Sequence, residues 1–151
     1  ERIARLVQKA DEYGVYVAFE NLRKTANLAC AFEYNEHGKF CLDVGHQYCY
    51  TGGKQFLPMY GDRVVALHIH DNMKTVGEDM HLLPFDGAID YSILMRQLID
   101  CGFDGTLMIE TAKAGKPQYE SLSDEQFIKL AAERANRLLD LYNDIKSNPR
   151  R

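Results

Sequence analysis

Apolar positions recur at helical spacing where the chain begins: Ile3, Leu6, Val7, Ala10 and Tyr13 share one face, and Gly14 follows as a stop. The period then changes. Four runs rich in β-branched, aromatic and aliphatic residues read as strands: "VYVAFEN" from residue 15, "KFCLDVG" from 39, "RVVALHIHD" from 63 and "GTLMIET" from 105. They are near-continuously apolar, the pattern of parallel strands covered on both faces. Between them, residues 22–34 give a weak helical signal, and residues 46–60 look irregular around Gly52-Gly53. "DYSILMRQLIDCGF" predicts an amphipathic helix with Ile93, Leu94, Leu98 and Ile99 on one stripe. A last helix is predicted over residues 124–146, opened by the capping-box pair Ser123 and Gln126. Its buried side is expected to carry Phe127, Ile128, Ala131, Ala135, Leu138, Leu139 and Tyr142, and the tail "KSNPRR" is expected to fray. Strands alternating with helices predict one α/β domain over residues 1–151, built on a parallel sheet. The long irregular stretch "NMKTVGEDMHLLPFDGAID", with Asp79, His81 and Pro84, reads as a functional loop.

The strand ends carry the chemistry. Each run has an ionisable, ligand-type residue at or beside its C-terminal end: Glu20, Asp43, His68 or His70, and Glu110. In parallel α/β barrels and open sheets this is the end where sites are built. Strand alternation puts Val64, Ala66, His68 and His70 on one face, Cys41 with Asp43, and Thr106 and Met108 with Glu110. Any one of these is an ordinary polar strand end, and His46 by itself is a helix cap. Four together predict a divalent metal site of three carboxylates and an imidazole, suited to Mn, Co, Mg or Zn. His37 lies in a turn and takes no role.

Charge and cysteine usage narrow the partners. A formal charge of −4 with scattered Lys and Arg argues against nucleic acid and anionic membranes as partners. No apolar run reaches the length of a membrane span. Cys30, Cys41, Cys49 and Cys101 form no CxxC pair and are expected to be free thiols in a reducing, cytoplasmic setting, and no secretory leader is recognisable. The chain opens inside a helix without an initiator methionine, so it is expected to be part of something longer.

The segments "AFEN", "CLDVGH", "LHIHDN", "DMHLLPFDGAIDY" and "LMIET", in that order, resemble the xylose isomerase-like TIM barrels. That superfamily includes sugar-phosphate isomerases and epimerases and the apurinic endonucleases. The resemblance implies a (β/α)8 TIM-barrel-like fold, of which this chain holds about the second half, strands five to eight. It implies metal ligands at Glu20, Asp43, His68 and Glu110, with Glu20 and Glu110 doubling as the catalytic acid/base pair. His46 and His81 match substrate-contacting histidines. In the endonucleases the second of these works with the nearby aspartate, here Asp79, on an extra metal. His70 becomes a same-face neighbour of His68, for substrate or for the ligands themselves, and Asp71 turns away. One departure is "PFDGAID" in place of the commoner "PGEGDID" turn. The implied activity is isomerisation or epimerisation of a sugar or sugar phosphate through a metal-stabilised enediolate. The alternatives are an apurinic-site phosphodiesterase and a half-barrel with an incomplete site. Open barrel edges imply pairing with the missing half or with a second copy.

Overall fold

The structure is a computed structural model that describes residues 1–148. Three strands form one parallel sheet in the order β1 (Ala18–Glu20), β2 (Lys39–Asp43), β3 (Val64–His68). Alternation divides their side chains between two faces. Phe40, Leu42 and Leu67, with Ile69 just beyond β3, are buried in the main core together with helix residues. Glu20, Asp43 and His68 take the other face, and pairing sets Asp43 beside His68. Val64 leaves the face expected for it and packs against the core. The register shifts between Phe40 and Cys41, which inserts one extra residue in β3 and reverses the alternation there.

Two strands differ from their sequence pattern. β1 spans three residues, and Val15 and Tyr16 before it are exposed. The run 105–111 forms only a parallel bridge, Ile69 with Ile109, in which Ile69 N–H donates to Met108 O (2.8 Å) and Glu110 N–H to Ile69 O (3.0 Å). Each lies at an edge, with a neighbour on one side only among the described residues. A one-sided strand has half the ladder bonds of an internal one, so its ends do not extend.

The helices follow their caps. In α1 (Arg2–Glu12) Val7 and Ala10 are buried, whereas Ile3, Leu6 and Tyr13, at the same helical spacing, are exposed. The weak signal at 22–34 forms α2 (Thr25–Glu33). The stretch expected to be irregular opens instead with α3 (Val44–Thr51), because the Asp43 carboxylate caps it by accepting from His46 N–H. Gly52, at φ 65°, ends it, and α4 (Leu57–Tyr60) follows. In α5 (Tyr91–Asp100) the buried residues are Tyr91, Leu94, Met95 and Leu98, and Ile93 faces solvent. α6 (Asp124–Ser147) has the capping box of Ser123 and Gln126. Leu138 is fully buried, and Leu141, Tyr142 and Ile145 pack on the main core. Ile128 and Leu139, expected inside, lie one step around the helix and are exposed. The expected fraying falls partly on residues 149–151, which lie outside the described residues. No described helix is long and apolar enough to cross a membrane.

The loop after β3 is organised by Asp71, a fully buried carboxylate. Its Oδ1 accepts from Asn72 N–H (2.9 Å) and Ile89 N–H (3.1 Å), and Oδ2 accepts from Phe85 N–H (3.0 Å). The approach is close: a Cβ on Gly87 would stand 2.3 Å from Asp71 Oδ1. Burial pushes the Asp71 carboxyl above its ordinary pKa, and the backbone donors oppose that shift. Asp71→Asn turns an N–H donor toward other N–H donors. It is expected to cost about 1–3 kcal/mol, read as a lower urea midpoint at unchanged slope; an unchanged midpoint contradicts this role.

Candidate functional site

Asp43 ends β2 wholly buried. Asn21, just after β1, fixes it: Asn21 Nδ2 donates to Asp43 O and Asp43 N–H donates to Asn21 Oδ1, both at 2.8 Å. This side-chain pair continues the β1–β2 ladder past Glu20 and sets where the Asp43 carboxylate points. Asp43 Oδ1 accepts from His46 N–H and stands 3.1 Å from His70 Nε2, while Oδ2 lies 3.5 Å from His46 Nδ1.

The four residues read as metal ligands fall into two trios that share Asp43. Ligand atoms of Asp43, His68 and Glu110 lie within 4.8 Å of one another, and so do those of Glu20, Asp43 and His46. His68 Nδ1 sits 3.0 Å from Glu110 Oε2 and 3.7 Å from Glu20 Oε1. Asp43 thus joins two overlapping trios. Exposure grades across them: the Asp43 side chain is 0% accessible, Glu20 28%, His68 34% and Glu110 45%. The cluster therefore has a buried floor and an open carboxylate rim.

Behind it lies a second group, His46, His70, Asp79 and His81. His46 Nε2 is 3.0 Å from Asp79 Oδ2, to which Tyr50 OH donates at 3.3 Å. His81 Nε2 is 3.3 Å from Asp79 Oδ1, and its ring stacks on His70 at 4.0 Å. His70 is fully buried, with Asp43, His46, Asp79 and His81 around it. Gly45 makes room for it: a Cβ there would fall 1.8 Å from His70 Cε1. His37, given no role, pairs at the surface with Asp11.

The donor set fits a divalent cation. Asp43 Oδ2, His46 Nδ1, His68 Nδ1, both ring nitrogens of His70 and Asp79 Oδ1 are buried without a hydrogen-bond partner. Several of them are close to an opposite group yet misaligned for hydrogen bonding, as lone-pair donors sharing a cation would be. Cys41 does not belong to the set as thiolate. Burial, with Glu20, Asp43 and Glu110 nearby, pushes its pKa up to about 12, so it stays neutral. Glu20, Asp43, His68, Glu110 and the four second-group residues were all visible in the sequence. Asn21 and Gly45 were not read as functional. Asn21 sits inside the quoted "AFEN", but only its cross-strand pair reveals what it does.

The imidazoles and carboxylates shift one another. Burial works against protonating His70, but the Asp43 carboxylate 3.1 Å from its Nε2, with Asp79 and Glu110 near, outweighs it, and its pKa rises above the ordinary 6.5. Burial would raise Asp79, but His46, His81 and His70 hold it below its ordinary 3.8. A raised histidine gives stability that is fully present below 6.5 and lost as pH climbs through the folded value. A lowered aspartate gives stability present above 3.8 and lost as pH falls through its folded value. The metal-free protein is therefore expected to melt at progressively lower temperature as pH rises from 6.5, and His70→Gln to flatten that limb. A melting temperature that climbs over this range in the metal-free protein contradicts the assignment.

Comparison with known proteins places this geometry. A family profile described as xylose isomerase-like TIM barrel matches residues 1–134. The protein y4fM of Sinorhizobium fredii (strain NBRC 101917 / NGR234), itself uncharacterised, is 37% identical over 111 residues, covering 72% of this chain and 35% of its own length. A xylose isomerase domain protein from Alicyclobacillus acidocaldarius superposes with a TM-score of 0.74 at 23% identity, over 95% of this chain and 57% of its own. A D-tagatose 3-epimerase-like protein superposes with a TM-score of 0.70 at 19% identity, over 94% of this chain and 53% of its own. The chain thus spans little more than half the length of these solved structures and about a third of the curated relative. With its profile matched along most of its length, the chain belongs to the xylose isomerase-like TIM barrel family.

Proposed function

We propose that the chain is the site-bearing part of a divalent-metal-dependent sugar or sugar-phosphate isomerase or epimerase, corresponding to strands five to eight of a (β/α)8 barrel. The observation that carries this reading is the pair of partly exposed carboxylates, Glu20 and Glu110, reaching the same His68 imidazole above the buried Asp43. Two carboxylates flanking one position, each open to solvent, are the acid and base that proton transfer beside a carbonyl needs. Glu20, Asp43, His68 and Glu110 would hold a Mn, Co, Mg or Zn ion. When bound, the ion supplies Lewis-acid stabilisation to the enediolate oxygens. One carboxylate takes the proton from the substrate carbon and the other returns one. His46 and His81, positioned with Asp79, orient the sugar hydroxyls, and His70 steadies Asp43 from beneath. The similarity in fold to a D-tagatose 3-epimerase-like protein agrees with this substrate class.

The open edges bear on the assembly. β1 and the 105–111 run each lack a neighbour on one side among the described residues, so the rest of the barrel or a second copy covers them. The free thiols Cys30, Cys41, Cys49 and Cys101 agree with a reducing cytoplasm.

A second reading, a metal phosphodiesterase acting at apurinic sites, is favoured by the grouping of His46, His70, Asp79 and His81, which could hold a further ion. The net charge of −4 weighs against it. Salt-dependent retention of DNA at physiological ionic strength would raise it above the epimerase.

Screened against ketoses and their phosphates, the full-length protein is expected to lose activity on chelation and regain it with divalent metal. Glu110→Gln is expected to lower kcat by about 10²–10⁴-fold. Undiminished turnover after chelation, or in Glu110→Gln, ends this reading. Size-exclusion chromatography of residues 1–151 is expected to give a species larger than one 17.3 kDa chain; a monomer at micromolar concentration contradicts the second-copy form of the assembly.

A further inference from the structure

The loop that carries Asp79 and His81 holds three non-glycine residues in the left-handed region, Lys74 at φ 59° near its start and, closer to the site, His81 at φ 46° and Phe85 at φ 73°. A side chain with a Cβ disfavours that conformation, so neighbouring contacts must impose it. Asp71 supplies one set, pairing backbone with Leu82 through two 2.9 Å hydrogen bonds and accepting from Phe85 N–H. The opposite set comes from elsewhere in the chain and meets at Asp86. Tyr119 OH donates to Asp86 Oδ2 (2.9 Å) while accepting from Leu83 N–H (2.9 Å). Arg134 on α6 donates to Asp86 Oδ1 at 2.7 Å. One turn along, the Arg137 guanidinium lies 3.8 Å from the centre of the Phe85 ring. The four residues from Leu83 to Asp86 are thereby gripped from both sides. Phe85 stands where the commoner turn has glycine, and the ring it adds is what Arg137 and Tyr91 hold.

From these contacts we propose that Asp86, clamped by Tyr119 and Arg134, is a positioning residue for the site, fixing His81, and through it Asp79, against His70. Asp86 does not touch the metal-binding cluster. Its influence passes through Leu83 and Leu82 to the His81 backbone, whose ring meets His70 at 4.0 Å and Asp79 at 3.3 Å. α6 thereby becomes part of the active-site frame rather than only a cover for the core. The catalytic consequence rests on the reading that His81 and Asp79 orient substrate, whereas the geometric consequence does not.

Both are tested together by Asp86→Asn, Tyr119→Phe and the conservative Arg134→Lys. In the metal-free protein, ¹H–¹⁵N spectra of the histidine rings are expected to show His81 and His70 displaced in Asp86→Asn, with surface His37 unmoved and Arg134→Lys close to wild type. In the metal-loaded full-length protein, kcat/KM is expected to fall about 10–100-fold in Asp86→Asn at unchanged metal content, with Arg134→Lys recovering most of it. Unmoved His81 and His70 signals in Asp86→Asn overturn the proposal, as does displacement of all three histidines alike, which marks general loosening. Should Asp86→Asn not fold, Tyr119→Phe carries the same two readouts with the same outcomes. A wild-type protein without epimerase activity whose His81 and His70 signals still follow Asp86 removes the epimerase reading and keeps the clamp.

Discussion

Four carboxylates, Glu20, Asp43, Asp79 and Glu110, crowd one end of the sheet, and their ion-pair partners among the described residues are histidines alone. Asp43 is the extreme member, fully buried, and taking a carboxylate out of water costs several kcal/mol even after relaxation. The α3 N-terminus that it caps returns about 0.3–1 kcal/mol. Protonated imidazole or a bound cation would supply what remains, and the His70 imidazole, its pKa lifted above the ordinary 6.5 by the neighbouring carboxylates, is placed to do the first. The rest of the structure serves to hold these like charges together.

That holding is done by backbone and neutral groups. Asn21 carries the β1–β2 ladder one step past Glu20 and fixes Asp43 by both its amide atoms. Gly45 leaves the space that His70 fills. Asp71, on the opposite face from His70, spends its carboxylate on loop amides and so keeps that charge out of the cluster. The loop then brings Asp79 and His81 in from above. The floor of the site is thus set by strand register and its far wall by a clamped loop, two separate constraints that converge on the same imidazoles.

Strand alternation made the site legible before the fold. Glu20, Asp43, His68 and His70 were identifiable because a buried parallel strand ending in a carboxylate or imidazole breaks its own apolar pattern. Helical periodicity was less informative at the surface: Ile3, Leu6, Ile128 and Leu139 fit the spacing and are exposed. A stripe fixes which residues share a face but not how wide a partner covers it. The α3 start was missed because the capping residue, Asp43, lies at the strand end, so strand and helix share it. The edge run 105–111 kept its strand composition yet lacks a second neighbour to extend the ladder. The Asp86–Arg134 pair joins residues 48 apart in sequence, and no local pattern announces a contact of that kind.

Anomalous diffraction from crystals soaked in manganese or cobalt measures the central claim directly. The account places one ion bound by Glu20, Asp43, His68 and Glu110 at about 2.0–2.6 Å. An ion held by His46, Asp79 and His81 alone, or none bound at Asp43, would contradict it.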